Sequence, residues 1–135
     1  DKNQLESGFS IQNILLLESS FSRIQAVEFD NPDVKQDVDV NLNVSINENI
    51  VAVEEKVTYK QIIGEVTQVS AVIRMVGVFE KFGESPLDLE QFGNVNAAAI
   101  IFPYIREHLT GLAAKAGLGL IFLPPVNLTK KSQNK

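Results

Sequence analysis

From Val34 to Ile46 the chain alternates with a period of two. Val38, Val40, Leu42, Val44 and Ile46 fall on one side, and Asp37, Asp39, Asn41, Asn43 and Ser45 fall on the other. Successive side chains of a strand point to opposite faces, so this run is a strand with one dry face and one wet face. Asn47, Glu48 and Asn49 make the turn into a second long strand, Ile50 to Ile63, and Gly64-Glu65 turns into a third, Val66 to Phe79. Three long strands joined by short turns read as an antiparallel meander. Phe9 to Leu17 is apolar enough to add a fourth strand, and Glu18 to Pro32 mixes Ser, Asn and Asp with isolated hydrophobics in the manner of a long connection.

The remainder reads as a helix laid over that sheet. Phe82 to Phe92 is a connector with a short helical turn after Ser85-Pro86, and a long helix follows from Val95 to Ala116. Asn94 or Asn96 is expected to cap it, with its opening distorted around Pro103, because proline lacks a backbone donor and is tolerated near a first turn. Ile100, Ile101, Tyr104, Ile105, Leu109, Leu112, Ala113 and Ala116 cover more than one narrow stripe. A helix so broadly apolar needs more than one neighbour, which points to self-association. Gly117 is the expected stop, and the apolar run Leu120-Ile121-Phe122-Leu123 ends at Pro124-Pro125, which fits a segment laid over a surface. The fold class expected is α+β, an antiparallel four-stranded sheet with one long helix.

Composition narrows function mainly by exclusion. A chain of 135 residues with 44% hydrophobic content suits one domain, placed at residues 1–128, with 129–135 as a disordered tail. Net charge is −5 and the basic residues are scattered apart from Lys130, Lys131 and Lys135, so nucleic acid is not an expected partner. Cysteine is absent and histidine occurs once, which removes disulfide scaffolds, thiol catalysis and the usual zinc sites; no cofactor or metal is expected. No apolar run approaches a membrane span, so direct membrane insertion is not expected either. The sequence begins at Asp1 without an initiator methionine, which leaves room for a leader removed earlier. The triplets Asn43-Val44-Ser45 and Asn127-Leu128-Thr129 have the form of glycosylation acceptors, a form that arises often by chance.

The polar candidates for chemistry are sparse. His108 follows Arg106-Glu107 with no serine or cysteine nucleophile in view, so it reads as a structural or surface residue. Asp37 and Asp39 share a strand face but lack the loop, glycine and distal glutamate of a calcium hand, and read as a solvated face. Glu54 and Glu55 are adjacent and project to opposite faces, so they do not make an acid and base pair. Gly117-Leu118-Gly119 follows a helix where a dinucleotide fingerprint precedes one. No catalytic residues are assigned, and an enzyme is the least favoured class.

One set of motifs carries a resemblance. Phe102-Pro103-Tyr104-Ile105-Arg106-Glu107, a helix ending in glycine, then Leu123-Pro124-Pro125-Val126-Asn127 resembles the SecB family of protein-export chaperones. Phe9-Ser10-Ile11-Gln12-Asn13-Ile14 looks like that family's first strand and Gly77-Val78-Phe79 like the end of its fourth. The resemblance implies a cytoplasmic homotetramer, a dimer of dimers, that holds unfolded or precursor polypeptides in apolar grooves without ATP. By position it assigns Val34, Val38, Val40, Leu42, Leu120, Phe122 and Leu123 to client binding. It assigns Val69, Ala71, Val72 and Met75, with the helix residues Ile105 and Leu109, to assembly.

The resemblance is incomplete in two places. After Val126-Asn127-Leu128 only Thr129 to Lys135 remain, too few to form the family's second C-terminal helix, which implies a more open groove. The resemblance implies the SecA motor ATPase as a partner that docks partly through acidic side chains of the flat sheet face; Glu18 keeps one such position, whereas Ser22 and Val72 stand where other acids are expected. Fewer charges imply weaker contact with a basic partner. Two other readings remain open: a SecB-like chaperone dedicated to one client such as an antitoxin, and an oligomeric adaptor that binds a folded partner or small ligand.

Overall fold

Long alternating runs become long strands. In the computed structural model, which describes residues 8–84, 88–119 and 123, the strands are β1 Gly8–Arg23, β2 Val34–Asn47, β3 Ile50–Ile63 and β4 Val66–Phe82. They form one antiparallel sheet in the order β1-β4-β3-β2. The expected meander is therefore present, with β1 added beside β4 at the far edge. The two hairpin turns start on residues with left-handed φ, Glu48 at 56° and Gly64 at 59°, as the twist of two-residue hairpins favours.

β1 continues through Glu18 to Arg23, where the sequence suggests a connection. Register shifts between Ile11 and Asn13 and between Leu16 and Glu18 break its alternation. A period-two reading loses the strand at the second shift. The true connection, residues 24–33, has to pass the ends of β4 and β3 to reach β2 at the opposite edge.

Register sets which face is covered. Val40 pairs with Val57, which pairs with Ile73, and Val44 pairs with Val53, which pairs with Gly77. These residues share the face on which the helix lies. A helical segment opens at α1, Leu89–Gln91, passes through one π-helical turn at Phe92–Ala97 and continues as α2, Ala98–Lys115. Its cap is Asp88, whose carboxylate accepts from the Gln91 N–H at 2.6 Å, and not Asn94 or Asn96. The chain is already helical at Asn94, whose side-chain amide donates back to the Glu90 carbonyl at 3.0 Å. The distortion likewise lies upstream of Pro103, which α2 contains within its length.

Close approach explains that geometry. Gly93, in the π turn, nests so tightly that a methyl there would meet Val44 Cγ1 at 2.8 Å and Val51 Cγ1 at 3.0 Å. At Gly77 a methyl would meet Ile101 Cδ1 at 2.8 Å. Ile101, Phe102, Ile105, Leu109 and Ala113 make the buried stripe of α2, spaced by three and four as one helix face requires. Tyr104 stands out from that stripe, half-exposed. Phe92 stacks on Phe9 and meets Phe79 edge-on, tying the helix entry to β1 and β4.

The helix ends as the glycine predicts. Gly117 has φ of 73°, its N–H bonds to Ala114 C=O at 3.1 Å, and the Leu118 N–H reaches back to Ala113 C=O at 3.0 Å. This paired closure satisfies carbonyls that the last turn would otherwise leave open. The Arg23 guanidinium joins the same end: it donates to the carbonyls of Ala116, Ile24 and Gln25. No helix among the described residues is long and apolar enough to cross a membrane.

Candidate functional site

Among the described residues, open apolar surface gathers at two places, apart from single exposed side chains such as Ile46, Val66 and Tyr104. One is β1, an edge strand, where Ile11, Leu15, Leu16 and Leu17 are between 45% and 52% exposed. The bulges turn these neighbours outward on both faces, which the regular strands do not do. The other is the end of the sheet crossed by residues 24–33, where Phe29 is 59% exposed and Val34 and Val38 are half-buried. Contiguous exposed apolar surface on a folded protein marks a site of interaction.

The crossing connection is fixed by one buried side chain. Gln68 falls between paired residues at a register shift on β4. Its Oε1 accepts from the Glu28 N–H at 3.0 Å and its Nε2 donates to the Glu28 carbonyl at 3.0 Å. The same Nε2 reaches Gln61 Oε1 at 3.3 Å, and Gln61 donates to the Tyr59 hydroxyl at 2.8 Å. The Ile24 N–H adds a bond to the Gln68 carbonyl at 3.0 Å. A bulge residue thus pairs the connection to the sheet as a short extra strand would, and Phe29 follows the pinned residue directly.

Among the residues assigned to client binding, Val34 and Val38 line this end, across from Ile63 and Tyr59. Val40 and Leu42 continue the same face but are buried in the core. Leu123 is buried as well. Leu120 and Phe122 lie outside the described residues. Alternation thus put Val38, Val40 and Leu42 on one face, which Val34, assigned by the resemblance, shares; burial separates the outer two of these four from the inner two. Phe29 was missed, because a lone aromatic in a polar connection carries no periodic signal.

Of the residues assigned to assembly, Val69, Ala71, Met75, Ile105 and Leu109 pack into the protomer's own core. Packing between α2 and the sheet already uses their surfaces. Val72 differs: it is half-buried on the opposite, helix-free face, across from Ser20 and Thr58.

That helix-free face carries the charge. Arg74 donates to Glu18 at 3.1 Å and to Glu54 at 2.9 Å, so Glu18 on the edge strand is tied through Arg74 to β3. The two carboxylates raise the pKa of the Arg74 guanidinium, with Glu54 the larger cause. Ser22 shares the face, its hydroxyl 3.5 Å from that of Ser70. Asp37 and Asp39 share it too, opposite Lys60 and Thr58, and the Asn41 amide donates to Asp39 at 3.3 Å. No group of three or more potential metal ligands is present among the described residues. His108 serves as a tie between helix and edge strand, its Nε2 2.8 Å from Ser19 Oγ.

Glu55 stands apart from this arrangement. It points to the helix side, fully buried, and neither carboxylate oxygen has a hydrogen-bond partner among the described residues. Burial pushes its carboxyl up to about 8, because the ionised form loses its hydration without gaining a counter-charge.

Comparison with known proteins agrees with the geometry. The sequence profile described as preprotein translocase subunit SecB matches residues 2–133. The chain is 29% identical over 122 residues to the protein-export protein SecB of Stenotrophomonas maltophilia, across 88% of this chain and 71% of that protein. It is 27% identical over 130 residues to the protein-export protein SecB of Hydrogenovibrio crunogenus, across 94% of this chain and 87% of that one. Its fold matches that of a SecB-like chaperone of Mycobacterium tuberculosis, solved in complex with a peptide from an antitoxin. The TM-score is 0.74 at 17% identity, over 88% of this chain and 91% of the other.

Proposed function

Because this chain belongs to the SecB family, we propose that it is an ATP-independent holdase that binds unfolded or nascent polypeptides along apolar surface, in the service of protein export. The observation that carries the reading is the apolar surface left open beside a complete core. Ile11, Leu15, Leu16 and Leu17 on β1, with Phe29, Val34 and Val38 at the crossed end of the sheet, serve as client contacts. A client gains about 25 cal/mol for each Å² of apolar surface buried, and weak contacts repeated along one chain add through effective concentration. Holding needs no bond-making, so the activity is binding and not catalysis. Leu120 and Phe122 are further client contacts on the strength of the family motif, whereas Leu123 is buried within the protomer.

The working form is a cytoplasmic homotetramer. Tyr104 and Val72 supply subunit contacts, since the other assembly candidates are spent within the protomer. Docking of the SecA motor uses the helix-free face. There Arg74 already neutralises Glu18, and Ser22 and Val72 carry no charge, so that contact is weak. A second reading has its own support: the fold match to a SecB-like chaperone in complex with an antitoxin peptide favours a chaperone dedicated to one client.

Refolding of reversibly denatured proteins separates these readings. The nucleotide-free protein is expected to slow refolding of several unrelated clients. Retardation of one client alone supports the dedicated chaperone. Absence of retardation across all the unrelated clients leaves a dedicated chaperone or an adaptor and ends the general-holdase reading.

A further inference from the structure

At its centre, where Leu42, Val53, Val57 and Met75 meet, the sheet face that carries α2 is apolar except at one position. Leu42 and Met75 flank Glu55 in register, and Val53 and Val57 precede and follow it on the same side of β3. Ile101 lies against Gly77, the next residue of β4 beyond Met75 on that face, and Ile105 follows one turn later along the buried stripe. Glu55 is 0% exposed and both its oxygens lack partners among the described residues. An unpaired polar group so placed destabilises the packing, and a bare charge destabilises it far more. Nothing in the core geometry calls for a carboxyl there.

We infer that Glu55 makes the seating of α2 on the sheet proton-dependent, so that the helix face and the sheet face beneath it open more readily as the solution becomes less acidic. The seated state holds the carboxyl neutral. Opening exposes it to water, where it gives up its proton to solvent and cannot be reburied without taking one back.

The surroundings assign the effect to this group. On β2 and β4 the residues sharing its face, Val38 to Val44 and Ala71 to Phe79, are uncharged. On β3 the nearest titratable group of that face is the Tyr59 phenol, two alternating positions away and bonded to Gln61. β1 contributes Leu16 and Ser19. On α2, Arg106, Glu107 and Lys115 are exposed and His108 is bonded to Ser19. Glu18, Glu54, Lys56 and Arg74 occupy the opposite face.

Linkage sets the direction. The seated carboxyl titrates at about 8 against an ordinary 4.5. Opening therefore becomes more favourable with rising pH throughout that interval and levels off above it. The consequence for clients rests on the holdase reading: opening offers Ile101, Ile105 and Leu109 as further apolar surface.

Amide hydrogen exchange on the full chain, without client and corrected for the intrinsic pH dependence, tests the inference. Between about pH 5.5 and about pH 7.5 the protection of the Ile101, Ile105 and Leu109 amides is expected to fall roughly 100-fold, a tenfold change for each pH unit. These amides should also exchange faster than those of Val57 and Ile73 in the sheet at each pH. The fall should persist in His108→Gln and vanish in Glu55→Gln; Glu55→Leu gives the same reading if the glutamine variant folds poorly. A fall of equal size in both Glu55 variants overturns the inference, as does helix exchange no faster than that of the sheet. Refolding retardation, measured separately, reports on the holdase reading alone.

Discussion

Gln68 holds the backbone of Glu28 with both ends of its amide, accepting from the N–H and donating to the carbonyl at 3.0 Å each. This pairing fixes the connection between the two edge strands where it passes the inner ones. Gln68→Leu keeps much of the bulk and removes both bonds, leaving the Gln61 amide without its neighbour. A loss of about 1–3 kcal/mol is expected, the usual cost of stranding buried polar groups. Denaturant unfolding measures the loss, and faster exchange at the Glu28 amide localises it.

Glu55 makes stability depend on pH with a definite sign. Its folded carboxyl lies near 8, above the ordinary 4.5, so its contribution is greatest below the ordinary value. That contribution is lost as pH rises toward the folded value and is constant above it. Each pH unit across this interval is worth about 1.4 kcal/mol. Glu55→Leu should therefore gain a few kcal/mol over the parent at pH near 8 and little near pH 5. Urea unfolding across that range checks this, and parallel curves for the two proteins would contradict it.

Three glycines divide by their surroundings. Ala at Gly77 or Gly93 places a methyl 2.8 Å from Ile101 Cδ1 or Val44 Cγ1, and overpacking of this kind costs about 1–3 kcal/mol. Gly111 lies inside α2 with nothing within 4 Å of an added methyl. Gly111→Ala should stabilise by about 0.5–1 kcal/mol through helix propensity. Thermal or denaturant unfolding of the three variants reads out both signs.

Much of the fold is legible in sequence because it rests on local periodicity and turns. The alternation from Val38 to Ile46, the Asn47–Asn49 and Gly64-Glu65 turns and the Gly117 stop each act over a few residues. The far half of β1 is not legible, since its bulges depend on pairing with β4. The Asp88 cap is hidden for a similar reason: Asn94 and Asn96 are equally good caps until the π turn extends the helix upstream. At the candidate site, alternation places Val38, Val40 and Leu42 on one face, but whether the rest of the chain covers them is decided at long range. Adjacency likewise puts Glu54 and Glu55 on opposite faces, while Arg74 beside one and an apolar shell around the other come from distant strands.

The central claim is that surface left open on a folded core captures unfolded chain, and the most direct measurement is affinity for one client in two states. A permanently unfolded protein and its folded counterpart would be titrated without nucleotide against the parent chain and a Phe29→Ser, Leu16→Ser variant. These side chains are exposed, so the core is left intact. The account predicts binding of the unfolded client only, weakened at least about tenfold in the variant, which corresponds to about 1.4 kcal/mol. Equal affinity for both states of the client, or none for the unfolded one, would contradict it.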